Sequence, residues 1–264
     1  MMVRHRVSSN KHGAWFIALL AVAFAILEAA SPGAHAADIN VFVSGAARRA
    51  YETLVPQFER VSGHTLVNQY GLPPDLIKKM EAGEPFDVII LSYDVEGLVK
   101  QGKLAADSRT VFGRSGVGVA VRQGAPKPDF STVEAFKRAL LNAKAIATSG
   151  EGTSGRYVAS LLERLGIADQ VKPKIRSGGV GESARLVSRG EVDFVVSGLP
   201  PLLGTPNIEW LGYIPAEIQS WVVFSGGLNI NAKEPAAGRA LLNFLTTPAA
   251  VSVFKENGID PVTP

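Results

Sequence analysis

The sequence predicts an α/β protein of two lobes, with a ligand cleft between the lobes and two crossings of the chain that join them. Short runs rich in Val and Ile alternate with segments whose apolar residues recur at helical spacing. A polar stretch with two prolines, residues 122–128, interrupts this alternation, which then resumes. We therefore predict a first lobe from residues 37–121 and 223–264 and a second lobe from residues 122–222.

Residues 1–36 have the features of a cleavable secretory signal. Three basic residues precede an uncharged apolar run at residues 14–27, and Ala-His-Ala at residues 34–36 offers a cleavage site between small residues. The apolar run is shorter than the roughly 20 residues that span a bilayer. No Cys is present to carry a lipid anchor. The sequence therefore predicts export to the periplasm.

The composition argues against several classes of protein. Without residues 1–36, the 27 basic and 24 acidic residues become 24 and 23, so no excess of basic charge favours nucleic acid. The chain has no Cys, and three of its four His lie in residues 1–36, which leaves His64. These absences exclude Ser-His-Asp triads, Cys-His nucleophiles and His-rich metal sites from the predicted mature chain. We therefore expect neither an enzyme nor a cofactor or metal.

In the first half of the chain, residues 39–43 predict a buried strand that ends at Ser44 and Gly45, before a helix. A helix that follows a strand through so short a turn directs unpaired N–H groups past the strand end, which favours an anion. The alternative interpretation makes Ser44 an ordinary helix N-cap. Further strands are predicted at residues 65–68, 87–91 (ending at Ser92) and 116–121, with a helix at residues 76–81.

In the second half, Ser131 and Glu134 predict a capping box at the start of a helix. Two turns rich in Gly and hydroxyl groups, residues 148–157 and 177–182, each lead into a helix. The first has the spacing of a phosphate-binding loop, but Arg156 and Tyr157 stand where Lys and Ser or Thr are required. Strands are predicted at residues 144–147, 171–175, 192–196, 208–213 and 221–228, and helices from residues 235 and 249.

Several short segments match one known family. They are Val41-Phe42, Phe58-Glu59, residues 80–87 (MEAGEPFD), residues 162–166, residues 186–191 before Val195, and residues 248–254 with Gly258. Over essentially the whole predicted mature chain, the sequence resembles the periplasmic solute-binding proteins of ABC importers with the type II two-lobe fold. Within them it is most similar to the molybdate-binding branch. The resemblance implies a monomer that binds a small anion in the cleft and delivers it to a permease in the inner membrane.

The ligand positions depart from the family pattern. Ala46 and Ser197 stand where the molybdate-binding proteins have Ser and Tyr, and residues 71–74 (GLPP) replace a run of serines. Two ligands therefore stay open: an oxyanion of the molybdate or tungstate type, and an organic carboxylate held by Arg156 with Ser154 and Tyr70. The predicted ligand-binding residues are Ser44, Gly45, Ala46, Tyr70, Gly71, Ser92, Thr153, Ser154, Arg156, Val180 and Ser197.

Two other classes of protein compete with this interpretation. A secreted hydrolase would need Glu151, Glu182 or Asp94 as acid or base, but no paired carboxylate spacing is evident. The effector lobe of a transcription regulator would share the fold, but the export signal opposes it. The sequence therefore favours the extracytoplasmic binding subunit of an ABC importer, with no nucleic-acid partner.

Overall fold

In the computed structural model, which describes residues 36–178 and 181–262, strands and helices alternate along the chain, so the predicted α/β class is confirmed. All of the predicted signal segment except Ala36 lies outside the described residues. The strands are β1 (Asp38–Ser44), β2 (Thr65–Gly71), β3 (Val88–Leu91), β4 (Thr110–Arg122), β5 (Ile146–Thr148), β6 (Ile175–Arg176), β7 (Phe194–Gly198), β8 (Ile208–Tyr213) and β9 (Trp221–Leu228). The helices are α1 (Arg48–Ser62), α2 (Pro73–Glu81), α3 (Glu96–Lys100), α4 (Val133–Asn142), α5 (Thr153–Arg164), α6 (Ala168–Val171), α7 (Glu182–Arg189), α8 (Pro235–Phe244) and α9 (Pro248–Glu256). None of the helices in this part of the chain is long and apolar enough to cross a membrane.

The strands form one path of hydrogen-bonded neighbours in the order β2-β1-β3-β9-β4-β7-β5-β6, and β8 pairs with β4. β1 is parallel to β2 and β3, while β9 is antiparallel to β3 and β4. Because β1 and β3 are parallel, their carboxyl ends meet at one edge of the sheet. This edge is where the Ser44 and Ser92 side chains come together.

The long strand β4 belongs to both parts of the sheet. Its residues 110–116 pair with β9, whereas residues 117–122 pair with β7 and β8. We therefore refer to a first sheet half (β2, β1, β3, β9 and residues 110–116) and a second sheet half (residues 117–122 with β5 to β8). The predicted lobe boundaries at residues 121 and 223 stay predictions, and they fall near the end of β4 and the start of β9.

Each sheet half has apolar side chains on both faces, as the two-residue period of a strand requires. On β1, Ile39, Val41 and Val43 pack with residues of α1, α8 and α9, while Phe42 packs on the opposite side with Leu76 of α2. Phe42 is fully buried and stacks on the ring of Phe86. On β4, Val117, Val119 and Val121 face α4 and α5, and Ala120 faces α7.

Several predicted boundaries are wrong for local reasons. Ser44 is the last residue of β1 and is not an N-cap, because α1 starts later, with Ala47 at the cap position and no side-chain cap bond. The cap of α4 is Thr132, whose side chain accepts from the Ala135 N–H, while Ser131 bonds to Asp129 instead. Val171, predicted in a strand, ends α6.

Candidate functional site

A small cavity lies where β1 and β3 end and α5 begins. Its lining includes Ser44, the last residue of β1; Ser92, directly after β3; and Thr153, the first residue of α5. The cavity has about 50 Å³ for the centres of water-sized molecules. One water needs about 10–15 Å³ on this measure. In this conformation the cavity therefore has room for a few waters or a small anion.

Six of the predicted ligand-binding residues line this cavity. They come from the turn after β1, from the end of β3 and from the start of α5, which are far apart in sequence. They are Ser44, Gly45, Ala46, Ser92, Thr153 and Ser154. The structure thus brings the predicted strand-to-helix turns together, while their role as ligand contacts stays a prediction.

Four of the other predicted residues, Tyr70, Gly71, Arg156 and Ser197, are not part of the described lining of the cavity. Tyr70 is half-buried beneath the Arg48 guanidinium, which lies 4.5 Å from the centre of its ring. Burial, reinforced by Glu52, raises the pKa of Tyr70 to about 12. The carbonyl of Gly71 accepts a 2.8 Å hydrogen bond from the Gly45 N–H, so Gly71 supports the turn that lines the cavity.

Arg156 and Ser197 differ in their surroundings. Arg156 is exposed on α5, whereas Ser197 is fully buried with its Oγ 2.7 Å from the Ser149 Oγ. Val180 lies outside the described residues. The clamp predicted from Arg156, Ser154 and Tyr70 is therefore not assembled around this cavity in the described structure, because only Ser154 lines it.

Two short chains of hydroxyl groups connect the walls of the cavity. Ser92 Oγ lies 2.9 Å from Ser44 Oγ and 3.3 Å from Thr153 Oγ1, so it links the first sheet half to α5. Ser149 Oγ lies 3.1 Å from Ser154 Oγ and also bonds to Ser197. A hydroxyl both donates and accepts, and its hydrogen rotates to suit its partner. These groups can therefore turn their hydrogens from one another towards an anion.

The described lining holds no Asp, Glu, His, Lys or Arg side chain. Any charge on a ligand would therefore be balanced by neutral dipoles, which hydroxyl and backbone N–H groups supply. Two basic residues, Arg48 and Arg49, lie along an adjacent surface groove that shares Gly45, Pro200 and Pro201 with the cavity. Their position suits attraction of anions towards the opening more than direct contact.

The lining also contains residues that the sequence analysis did not predict as ligand contacts, among them Ser115, Ser183, Val222 and Phe224. Ser115 lies in the first part of β4, which the sequence pattern did not predict as strand. Val222 and Phe224 lie in the predicted strand β9, but an apolar residue in a strand is ordinarily a core residue. The only available hint was a serine, Ser115, beside glycines in an otherwise apolar run.

The segment that carries Ser92 is held in place by hydrogen bonds to Ser225 and to Arg109. Ser225 of β9 is fully buried, and its Oγ accepts from the Val95 N–H and donates to the Tyr93 carbonyl, both at 2.9 Å. Arg109 pairs with Asp94 through two short hydrogen bonds, which lower the pKa of that carboxyl. The position of Ser92 therefore depends on β9 as well as on β3.

Replacing Ser225 with alanine is expected to weaken ligand binding several-fold and to lower the free energy of unfolding by about 1–3 kcal/mol, because two buried backbone groups lose their partner. Ser108→Ala is the matched control: the Ser108 Oγ also accepts from a backbone N–H and donates to a carbonyl, but it does not line the cavity. Chemical denaturation measures the free energy of unfolding of both variants, and a ligand titration measures their affinities. Equal loss of affinity in the two variants would contradict a positioning role for Ser225.

Several known proteins resemble this chain in sequence and in fold. Residues 39–260 match the family model of bacterial extracellular solute-binding proteins. The chain is 32% identical over 231 residues to aconitate isomerase from Pseudomonas sp., covering 85% of this chain and 88% of that one. It is 24% identical over 234 residues to the molybdate-binding protein ModA of Azotobacter vinelandii, covering 85% and 90%. The solved structure of the Azotobacter vinelandii periplasmic molybdate-binding protein superposes with a TM-score of 0.70 at 20% identity, covering 86% of this chain and 99% of that one.

The chain belongs to the bacterial extracellular solute-binding proteins, a family of substrate-binding components of ABC importers. The resemblance to the molybdate-binding branch with its two-lobe fold is confirmed. The expectation that the chain is not an enzyme is wrong, because a relative that matches it over most of its length is named for an isomerase activity. The absence of Cys, together with a single His outside residues 1–36, excluded particular kinds of catalytic site, and it did not exclude catalysis as such.

Proposed function

We propose that this protein binds a tricarboxylate of the aconitate type in the cavity between β1, β3 and α5, and delivers it to an ABC permease from the periplasm. The observation that carries the proposal is a cavity lined by seven hydroxyl side chains and, among the described residues, by no ionisable one. These hydroxyls belong to Ser44, Ser92, Ser115, Ser149, Thr153, Ser154 and Ser183. The 32% identity to an aconitate isomerase supports the choice of acid.

The number and kind of donors suit a polycarboxylate. Each carboxylate presents two oxygen acceptors, so a tricarboxylate accepts more hydrogen bonds than a tetrahedral oxyanion does. The lining also contains apolar side chains, among them Leu72, Val222 and Phe224, which suit a carbon skeleton. Hydrogen bonds to charged groups are worth about 1.5–3 kcal/mol each. A few of them replace the hydration of the ligand without any cationic side chain.

A tricarboxylate requires a wider cavity than the 50 Å³ seen here. The cavity can widen if the two sheet halves separate, because its walls come from both of them. Ser44 and Ser92 stand at the ends of strands of the first half, whereas Ser149 and Thr153 follow β5 of the second. We propose that these sheet halves correspond to the lobes predicted at residues 37–121 with 223–264 and at 122–222, with the crossing in β4 placed between Gly116 and Val117, where its pairing changes, rather than after residue 121. The lobes would move apart by bending there and before the start of β9, and close over the ligand. The 3.3 Å Ser92–Thr153 contact then belongs to a more tightly closed form than the one that holds the tricarboxylate.

The small cavity favours a second candidate ligand, a tetrahedral oxyanion such as molybdate. Such an ion needs little opening, and proteins 22–24% identical to this chain are named as molybdate-binding. The substitution of Ala46 and of residues 71–74 for family serines opposes it, because each lost hydroxyl removes a charge-assisted hydrogen bond. The lining hydroxyls and the backbone N–H group of Ala46 are donors that would remain.

The relative's name also supports a catalytic candidate: interconversion of the cis and trans forms of the bound acid. In such an interconversion a proton leaves the carbon next to the double bond and a proton returns at the other end of the allylic system; because the described lining holds no ionisable side chain, a water in the cavity would carry it. While the proton is away, negative charge spreads onto the neighbouring carboxylate. Donors already fixed around that carboxylate stabilise such charge. Proton NMR of cis-aconitate incubated with the protein tests this directly: growth of the trans signals in proportion to protein concentration supports it, and an unchanged spectrum contradicts it.

Thermal unfolding of the chain from Ala37 onward tests the binding proposal. The panel consists of cis-aconitate, trans-aconitate, citrate, molybdate, tungstate and sulfate. A ligand at about 100 times its dissociation constant adds about 2.7 kcal/mol to the free energy of unfolding. We expect the midpoint to rise with the tricarboxylates. A rise with molybdate and tungstate alone would identify the oxyanion candidate instead.

Replacing Ser92 with alanine is expected to reduce the affinity for the bound anion about tenfold or more, because this hydroxyl stands between Ser44 and Thr153 in the lining. Ser252→Ala is the control, since Ser252 is exposed on α9 and bonds only to its own helix in the described contacts. Titration calorimetry gives the dissociation constant of each variant relative to that of the wild type. An unchanged affinity in Ser92→Ala would place the ligand elsewhere.

A further inference from the structure

One cavity residue differs from the other hydroxyls in its hydrogen bonding. Ser115 is 1% exposed, and its Oγ is the one buried side-chain N or O atom without a hydrogen-bond partner among the described residues. It lines the cavity. A buried hydroxyl without a partner is unfavourable, because it has lost its hydrogen bonds to water and gained none. This arrangement is typical of a group whose partner arrives with a ligand.

The surroundings of Ser115 differ from those of the hydroxyl chains. Ser115 is paired in register with Val222 of β9, and Phe224 follows two residues further along the same strand. Val222 and Phe224 both line the cavity and are largely buried. The Ser44–Ser92–Thr153 chain lies at the ends of β1 and β3 and at the start of α5. The cavity therefore has a hydroxyl-rich part and a mainly apolar part with one donor, Ser115.

We propose that Ser115 donates a hydrogen bond to a second carboxylate of the ligand, while Val222 and Phe224 contact the carbon chain that connects it to the carboxylate held by Ser44 and Ser92. Ser115 then selects an organic polyacid over a tetrahedral oxyanion. An oxyanion has no carbon chain and is satisfied by the hydroxyl-rich part alone. The inference rests on the proposed function and extends it from a ligand class to a residue that determines specificity.

The test compares the wild type with Ser115→Ala and Ser92→Ala in titrations with cis-aconitate and with molybdate, and measures the unfolding midpoint without ligand. We expect Ser115→Ala to weaken cis-aconitate binding about tenfold or more and to leave any molybdate affinity unchanged. Its midpoint without ligand should be equal to or above that of the wild type, because an unpaired hydroxyl has been removed. Ser92→Ala should weaken both ligands.

The outcomes separate the inference from the proposed function. A wild type that binds cis-aconitate together with a Ser115→Ala variant that binds it equally well overturns the inference and leaves the proposed function intact. A lowered midpoint without ligand, with both ligands weakened alike, assigns Ser115 a structural role and also overturns the inference. A wild type that binds no carboxylate overturns the proposed function and the inference together.

Discussion

Replacing Asp87 with alanine is expected to lower the free energy of unfolding by about 3–5 kcal/mol, because a buried carboxylate with several donors disappears. Asp87 is 1% exposed. One oxygen accepts the Asn40 N–H of β1 at 2.8 Å, and the other accepts the N–H groups of Lys233 and Glu234 at 2.7 and 3.1 Å. Asp87 therefore ties β1 and β3 to the start of α8, and its loss leaves three backbone donors unpaired.

Urea denaturation measures this effect, with Asp38→Asn as the control. Asp38 is an exposed acid at the start of β1, and a change there is expected to stay within about 0.5 kcal/mol. The loss of unfolding free energy in Asp87→Asn should lie between the losses in Asp87→Ala and Asp38→Asn, because the amide keeps one acceptor oxygen but turns an N–H group towards another donor. A loss below about 1 kcal/mol for Asp87→Ala would show that these bonds contribute little net stability.

Replacing Gly155 with alanine is expected to damage both the ligand site and the fold around it. Gly155 lies in the first turn of α5, and a Cβ there would stand 2.1 Å from the carbonyl oxygen of Gly150 and 2.6 Å from its nitrogen. The added methyl group can only be accommodated if the backbone of residues 149–152 moves. Ser149 and Gly152 both line the cavity, so this shift moves its wall.

For Gly155→Ala we expect a loss of about 1–3 kcal/mol in the free energy of unfolding and at least about a tenfold loss in ligand affinity. Gly97→Ala provides the matched control, since Gly97 is also helical but an added Cβ there meets nothing within 4 Å. Alanine should be neutral or stabilising at that position, because it restricts the unfolded chain. If Gly155→Ala bound the ligand with wild-type affinity, the turn at residues 149–152 would not be part of the ligand site.

Sequence patterns predicted the fold well where one local rule decides the structure. The strand at residues 221–228 matches β9 in full, since an apolar run bounded by turn residues needs no distant partner to be recognised. Most of the strand predicted at residues 171–175 is helical: Val171 ends α6 and packs into the core, residues 172–174 form a 3-10 helix, and β6 begins only at Ile175. A short apolar run has no period of its own, so tertiary packing decided its structure.

The same distinction explains which site residues were found. Ser44, Ser92 and Thr153 stand at the ends of strands or at the start of a helix, where local sequence rules predict exposed donors. Ser115 and Phe224 lie within strands, and they line the cavity because β9 pairs with β4 next to the point where β4 passes from the first sheet half to the second. That placement depends on pairings between residues more than 100 positions apart, which no local pattern contains.

Titration calorimetry of the wild-type chain from Ala37 onward, with cis-aconitate as the first ligand and molybdate as the second, is the most direct test of the central claim. The account predicts saturable binding of cis-aconitate at one site per chain, and binding that is lost or strongly weakened in Ser92→Ala. Saturable binding of molybdate with no heat from cis-aconitate would contradict it and would restore the oxyanion as the ligand of this cavity.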